Sequence, residues 1–269
     1  MNSNKVSVIL CVYNGESYIK DSIVSLLNQT YNNIEIVVCD DGSKDSTADV
    51  VKKLALNDSR IKYFYKENSG LTRSLNYALD KCSGAWIARQ DADDISEPDR
   101  IQKQLQFCIE NALDFSTSLA ERFNESGSID TVPNIHPKLA FHLDILKYGN
   151  LHVHGTFFIK KNILQVYRYN ENCRFAQDYD LLIRFIRGGV KCGLQKERLY
   201  RLRLHDNSIS SQKKKEQCAS VLSSLQNNKL PTGFYIEQYN GLKKFQKRFE
   251  KKLEILMLKA SMHFMLYTK

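Results

Sequence analysis

Long apolar runs are missing from this sequence, and so are paired cysteines, phosphate-cradling glycine loops and low-complexity tracts. Nothing approaches the roughly 18 consecutive apolar residues of a membrane-spanning helix. The apolar run at residues 6–12 has only the length of a strand. Met1-Asn2-Ser3-Asn4-Lys5 leads into no long apolar stretch with a small-residue cleavage site, so no signal peptide is expected. The seven cysteines (11, 39, 82, 108, 173, 192 and 218) are odd in number, widely scattered and without a Cys-x-x-Cys pair. That argues against a disulfide framework or a zinc site and for reduced thiols in a cytosolic protein. With 12 Gly and 4 Pro in 269 residues the chain is neither collagen-like nor Pro-rich, and 42% hydrophobic with 26% charged residues is ordinary for a globular protein. No Gly-x-Gly-x-x-Gly follows the first strand and no Gly-x-x-x-x-Gly-Lys-Ser/Thr occurs, which excludes the usual dinucleotide and P-loop signatures.

Acidic residues are fewer than basic ones, 30 against 39, for a net charge of +9. The excess is uneven. Residues 241–269 hold eight Lys/Arg and two Glu, a net of +6, which leaves +3 for the first 240 residues. A nearly balanced body speaks against a nucleic-acid surface spread over the fold.

What is present is a strand–helix alternation over the first hundred residues. Strands are expected at 6–12, 34–39, 61–65 and 86–88, and helices at 18–28, from an N-cap at Asp45-Ser46-Thr47, and at 71–79. Such spacing builds βαβ units with a parallel sheet covered on both faces, and ligands bind beyond the carboxyl ends of its strands. That rule sets Tyr13, Asp40, Asp41, Asp91 and Asp93 along one edge. Ser96-Glu97-Pro98 is read as starting another helix. Further on, strands are expected at 113–119, 156–159 and 198–204, and helices at 138–147 and 178–187; beyond Ser210 the chain turns polar and then helical.

Asp91-Ala92-Asp93-Asp94 packs three carboxylates into four residues, which repel unless a cation or solvent compensates. Hard cations such as Mg²⁺ or Mn²⁺ take one or two carboxylates together with substrate phosphates. A solvated turn with Asp94 or Ser96 capping the next helix is the plainer reading of the same residues. Asp40 or Asp41 can accept a hydrogen bond from a base or ribose, or simply form an acidic turn with Gly42-Ser43. Tyr13 can stack on a base, and Asn14 can bond a neighbouring loop.

In that order, residues 6–14, Ser25-Leu26-Leu27-Asn28-Gln29-Thr30, residues 34–47, Asn68-Ser69-Gly70 and residues 91–94 resemble family 2 glycosyltransferases, over about residues 5–210. The resemblance implies the nucleotide-sugar-binding glycosyltransferase A (GT-A) fold, an α/β Rossmann-like, mainly parallel sheet flanked by helices. It places a catalytic domain at 1–210, with a nucleotide-sugar half at about 1–111 and an acceptor half at about 112–210, and a helical extension at 211–269. By the resemblance Tyr13 stacks on the uracil of a UDP-sugar, Asp41 bonds the base, Asp40 supports that loop, Asp91 meets the ribose directly or through the metal, and Asp93 binds Mn²⁺ or Mg²⁺; Asn14 is counted with the nucleotide-binding residues. Arg73 would meet a phosphate, or be a plain surface charge, and His205 would ligate the metal or contact the diphosphate. Asp178 matches the catalytic base of an acidic pair whose first member is here Gln177, with Asp180 as fallback. His154 and Gly155 match the region lining the acceptor pocket, and Asp180 is expected to contact the acceptor as well. Gln90 stands where the family often has an apolar residue, and the Gln-x-x-Arg-Trp motif of processive members is missing, which points to transfer of a single sugar.

The implied activity is inverting, metal-dependent transfer to a glycan or polyprenyl-diphosphate-linked acceptor in bacterial surface-polysaccharide assembly. The basic residues 243, 244, 247, 248, 251 and 252 border an apolar stripe at 242, 245, 249, 253, 256, 257, 260 and 264. Such a helix can lie on an anionic membrane, placing the enzyme at the cytoplasmic inner face, or pack on the protein. A nucleotide-sugar-binding protein that has lost catalysis is the competing reading, admitted by Gln177.

Overall fold

The structure is a computed structural model, and it describes residues 4–146, 150–205 and 214–228. Strand β1 (Val6–Val12) is buried at every position, helix α1 (Ile19–Leu27) follows, and β2 (Ile34–Asp40) is again wholly buried. Then come α2 (Thr47–Asn57), β3 (Ile61–Tyr65), α3 (Leu71–Lys81) and β4 (Trp86–Asp91). The second half contains β5 (Ile95–Ser96), α4 (Arg100–Glu110), β6 (Phe115–Asn124), β7 (Gly127–Val132), α5 (Leu143–Leu146), β8 (Phe158–Lys160), α6 (Lys161–Tyr167), α7 (Gln177–Arg187) and β9 (Cys192–Arg203). Helix α8 (Lys214–Asn227) closes the described chain.

The strands form one sheet in the order β3-β2-β1-β4-β8-β6-β9-β5, with β7 paired to β6. The first four run parallel, as the βαβ spacing demands, while β8 joins β4 and β6 antiparallel. Register sets Val12 beside Asp40 and Cys11 beside Asp91, so three strands finish on one line. Because side chains alternate across a strand, Val8 and Leu10 enter one core with Ile23 and Leu26 of α1 and Ile101 of α4. Ile9 and Cys11 enter the other with Leu75 and Leu79 of α3 and Leu182 and Phe185 of α7. Each fully buried Leu, Ile or Phe among these contributes about 1.5–3 kcal/mol.

Several expected elements differ. The helix expected at 138–147 is two short turns, a 3-10 turn at Pro137–Leu139 and α5. The reason is local: His136 accepts from the Lys138 N–H and His142 from the Asp144 N–H, so each histidine starts its own turn. Ser96 belongs to a strand, and α4 begins only at Arg100 after Asp99. The last strand starts at Cys192, well before 198, and β7 carries no apolar alternation that would have marked it. Among the described residues no helix is long and apolar enough to cross a membrane. The basic stripe at 241–267 lies outside the described residues.

Candidate active site

Three loops meet beyond the ends of β1, β2 and β4. Asn14, at φ 52°, ties the first to the second: its backbone N–H donates to Ser43 Oγ at 3.0 Å and its Oδ1 accepts from the Lys44 N–H at 2.8 Å. Tyr13 beside it is 49% exposed, an aromatic face open to a ligand. The turn after β2 needs glycine at 42, where φ is +81° and a Cβ would lie 2.8 Å from the Asn68 nitrogen.

The two aspartates at this turn face different partners. Asp40, fully buried, accepts from the Ser43 N–H at 2.8 Å and from the Tyr63 hydroxyl at 2.8 Å, so it shapes the loop. Asp41 accepts from Lys66 Nζ at 2.5 Å and from the backbone N–H groups of Ser69 (3.0 Å) and Gly70 (2.8 Å). Burial opposes its charge, but Lys66 and these N–H groups outweigh burial and hold its pKa below the usual carboxylate range. Two of the three donors sit on Oδ1, so Oδ2 retains acceptor capacity for a base N–H.

The acidic cluster after β4 is divided as well. Asp91 pairs with Arg89 Nη2 at 2.6 Å, while its backbone N–H donates to the Tyr200 hydroxyl at 3.0 Å. Burial pushes the Asp91 carboxyl up, against the pull of Arg89. Asp94, 1% exposed, points inward and accepts from the Arg203 N–H at 2.7 Å; burial, then Asp93 and Asp91, push its pKa well up. Asp93 points outward, with its Oδ2 2.8 Å from His205 Nε2, and the His205 ring lies against Tyr18 at 5.0 Å between centroids. Asp93 and His205 are therefore close enough to share one ion. Among the described residues no group of three His, Cys, Asp or Glu side chains converges as a cage. Two protein ligands with the remainder from phosphate and water is the donor set that Mg²⁺ or Mn²⁺ uses with nucleotides, so these residues fit such an ion.

Asp178 stands in the first turn of α7, within electrostatic reach of Asp91 and Arg89. Burial raises its pKa to about 6; the backbone N–H groups at the helix start pull it back, Asp91 adds to the rise and Arg89 opposes it. A carboxylate tuned to that range is suited to accept a proton at neutral pH. Asn150 Nδ2 donates to its Oδ2 at 2.6 Å. His154 lies close by, its Nε2 2.8 Å from the Tyr169 hydroxyl. Burial, then Arg89, push its pKa well down, so it is a neutral imidazole.

Three expected contacts take other places. Asp180, 2% exposed, is ion-paired with Arg184 Nε at 2.8 Å and accepts from Ser224 Oγ of α8 at 3.0 Å, so it fastens α8 and faces no acceptor. Gly155 is a packing glycine: a Cβ there would stand 2.2 Å from the Tyr200 hydroxyl, and its carbonyl accepts from Arg100 Nη2 at 2.6 Å. Arg73 is exposed and pairs with Glu171 at 3.4 Å.

Sequence reasoning passed over Lys66, Arg89, Asn150 and Tyr200. Two of them carried a signal. Lys66 directly follows β3, where the strand-end rule applies, and Arg89 is a charge inside a strand bordered by two others, 3% exposed, which demands a buried partner.

Sheet order and acidic shelf together define the class as the GT-A fold. The family described as Glycosyl transferase family 2 matches residues 7–168, and the chain belongs to it. An uncharacterized glycosyltransferase of Haemophilus influenzae is 35% identical over 80% of this chain and 70% of that protein. The O-antigen biosynthesis glycosyltransferase WbnJ of Escherichia coli is 32% identical over 76% of this chain and 81% of its own length. Residues 1–349 of TarS from S. aureus in complex with UDP-GlcNAc share the fold at TM-score 0.69 and 20% identity, over 87% of this chain and 70% of that one. The mannosyltransferase PcManGT from Pyrobaculum calidifontis, solved with GDP-Man and Mn2+, shares it at TM-score 0.66 and 14% identity, over 87% and 69%. The protein is a glycosyltransferase.

Proposed function

We propose that this glycosyltransferase is an inverting enzyme that moves one sugar from a UDP-sugar to a glycan or lipid-linked oligosaccharide in cell-surface polysaccharide assembly. The observation that carries the reading is the buried carboxylate of Asp178 at the start of α7, within electrostatic reach of Asp91 and Arg89 at the end of β4, with burial raising its pKa. The polysaccharide role is supported by the relative named for O-antigen biosynthesis, and the UDP donor by the neighbour holding UDP-GlcNAc.

In this reading Tyr13 stacks on the base and Asp41 accepts its N–H, while Asn14 and Asp40 keep their loops in place. Asp178 takes the proton of the acceptor hydroxyl as that oxygen bonds the anomeric carbon. The bond from that carbon to the diphosphate breaks on the opposite face, its electron pair leaving with the diphosphate, so an α-linked donor yields a β-glycoside. Neutral His154 lies deeper, supporting the pocket wall through Tyr169. Asp93 and His205, beside Asp91, would hold Mn²⁺ or Mg²⁺, which would supply Lewis-acid stabilisation to the diphosphate. The basic stripe at 241–267, if helical, brings the enzyme to the inner face of the cytoplasmic membrane, where lipid-linked acceptors reside.

A thermal-shift panel of UDP-, GDP- and TDP-sugars with and without Mn²⁺ tests the donor class. A UDP-sugar that raises Tm more with the ion than without it is expected. A response to GDP-sugars alone would move the donor assignment to guanosine.

A further inference from the structure

Asn150 belongs to no motif read from the sequence, yet it makes the short contact to Asp178. Its two amide atoms are used on opposite sides: Nδ2 donates to Asp178 Oδ2 at 2.6 Å, and Oδ1 accepts from the His152 N–H at 3.0 Å. His152 is itself immobilised. It is 4% exposed, its ring stacks on Phe141 at 4.5 Å, its Nδ1 lies 2.9 Å from Thr117 Oγ1 of β6, and its Nε2 lies 2.8 Å from the Ala140 carbonyl. A chain of contacts thus runs from the sheet through His152 and Asn150 to one oxygen of Asp178.

A carboxylate turns broadly about its last torsion. A base that must meet a hydroxyl at about 2.6–3.2 Å gains from having one oxygen fixed. We infer that Asn150 is the positioning residue of Asp178, holding Oδ2 so that the other oxygen is the one presented to the acceptor hydroxyl. This rests on Asp178 being the base. An amide cannot itself take the proton at neutral pH, so Asn150 orients the carboxylate without competing for its task. Its N–H also favours the charged form, against burial. The other groups acting on this carboxylate are the backbone N–H groups of Tyr179 and Asp178 at the start of α7, Asp91 and Arg89 from β4, and Tyr169 and Cys173 from the segment before α7.

The test uses the full chain in four forms: wild type, Asp178→Asn, Asn150→Ala and Asn150→Leu, the last keeping a similar side-chain size while removing the donor without adding a charge. Turnover is read as nucleotide released from UDP-GlcNAc or GDP-mannose, whichever the wild type hydrolyses. The Asp178 carboxyl is read directly by ¹³C NMR of aspartate-labelled, metal-free protein, its resonance assigned by its loss in Asp178→Asn. Expected for Asn150→Ala is a fall in kcat of about tenfold or more with KM for the nucleotide sugar within about twofold, and a carboxyl midpoint moved to higher pH. A merely structural asparagine would not move that midpoint. If Asn150→Ala does not fold, Asn150→Leu is read instead, with the same upward move expected. If neither sugar is hydrolysed, the carboxyl midpoint decides alone. An unmoved midpoint, or unchanged kcat in Asn150→Ala beside an inactive Asp178→Asn, overturns the inference. Wild-type turnover by Asp178→Asn overturns the base assignment instead.

Discussion

Asp178 carries a charge that its surroundings oppose, and two consequences follow at the scale of the residue. Burial lifts its folded pKa to about 6, above the ordinary carboxyl value of about 4, so the proton is retained well into the weakly acidic range. Turnover in the base-dependent step should therefore fall as pH drops through about 6, which a kcat–pH profile would show as a single acid limb. Stability has the opposite sign: a raised carboxyl pKa favours the folded state while the group is protonated, and that contribution is lost as pH rises from about 4 through 6. Asp178→Asn should raise Tm above pH 6, with the difference from wild type vanishing below about pH 4, as scanning calorimetry would show. Stability gained where a catalytic group is removed is the familiar trade at active sites. Asp93 makes a different prediction. With Asp93→Ala, calorimetric titration of UDP should lose most of its Mn²⁺-dependent increment and keep the metal-free part supplied by Tyr13 and Asp41.

Elements are joined in this protein by buried polar side chains as much as by apolar packing. Glu35 of β2 accepts from Ser7 Oγ of β1 at 2.5 Å, from the Ser83 N–H at 2.6 Å and from Lys5 Nζ at 2.9 Å. Burial would raise its pKa, but these donors bring it down to about 2. A depressed carboxyl pKa stabilises the fold above the unfolded value of about 4.5, and the contribution is lost as pH falls through about 2. Glu35→Gln should cost about 3 kcal/mol at pH 7, with the gap closing toward pH 2 in urea titrations. On the far side of the sheet, Gly155→Ala forces a methyl group onto Tyr200 and should cost roughly 1–3 kcal/mol, lowering the urea midpoint with an unchanged slope. The same elements show what a linear reading reaches. Strands β1 to β4 and the shelf at their ends were legible because the βαβ spacing, the apolar runs and the acidic pairs are local and in sequence order. The Asn150 bond to Asp178 spans 28 residues and the Arg203 bond to Asp94 spans 109, and no local pattern encodes either. Asp180 looked like an acceptor contact because it sits two residues from Asp178; helical geometry turns it to Arg184, four residues on, and so to the protein interior.

For the whole molecule, one continuous sheet sets the ends of β1, β2 and β4 along one line, with the carboxylate of α7 within electrostatic reach of Asp91 and Arg89. Most of the net positive charge lies apart from that chemistry, in residues 241–269. Neutralising Lys243, Lys244, Lys247, Arg248, Lys251 and Lys252 to Gln in the full chain should abolish salt-sensitive co-sedimentation with phosphatidylglycerol vesicles and leave nucleotide binding alone. Unchanged sedimentation would remove the segment as an anchor. The central claim, a nucleotide-sugar transferase whose base is Asp178, is tested most directly by nucleotide release from UDP-GlcNAc, measured for wild type and Asp178→Asn alongside UDP binding on the same preparations. The expected result is release by the wild type, a loss of about 10²–10⁴-fold in Asp178→Asn, and UDP affinity changed by less than about threefold. Release by Asp178→Asn at the wild-type rate would contradict it.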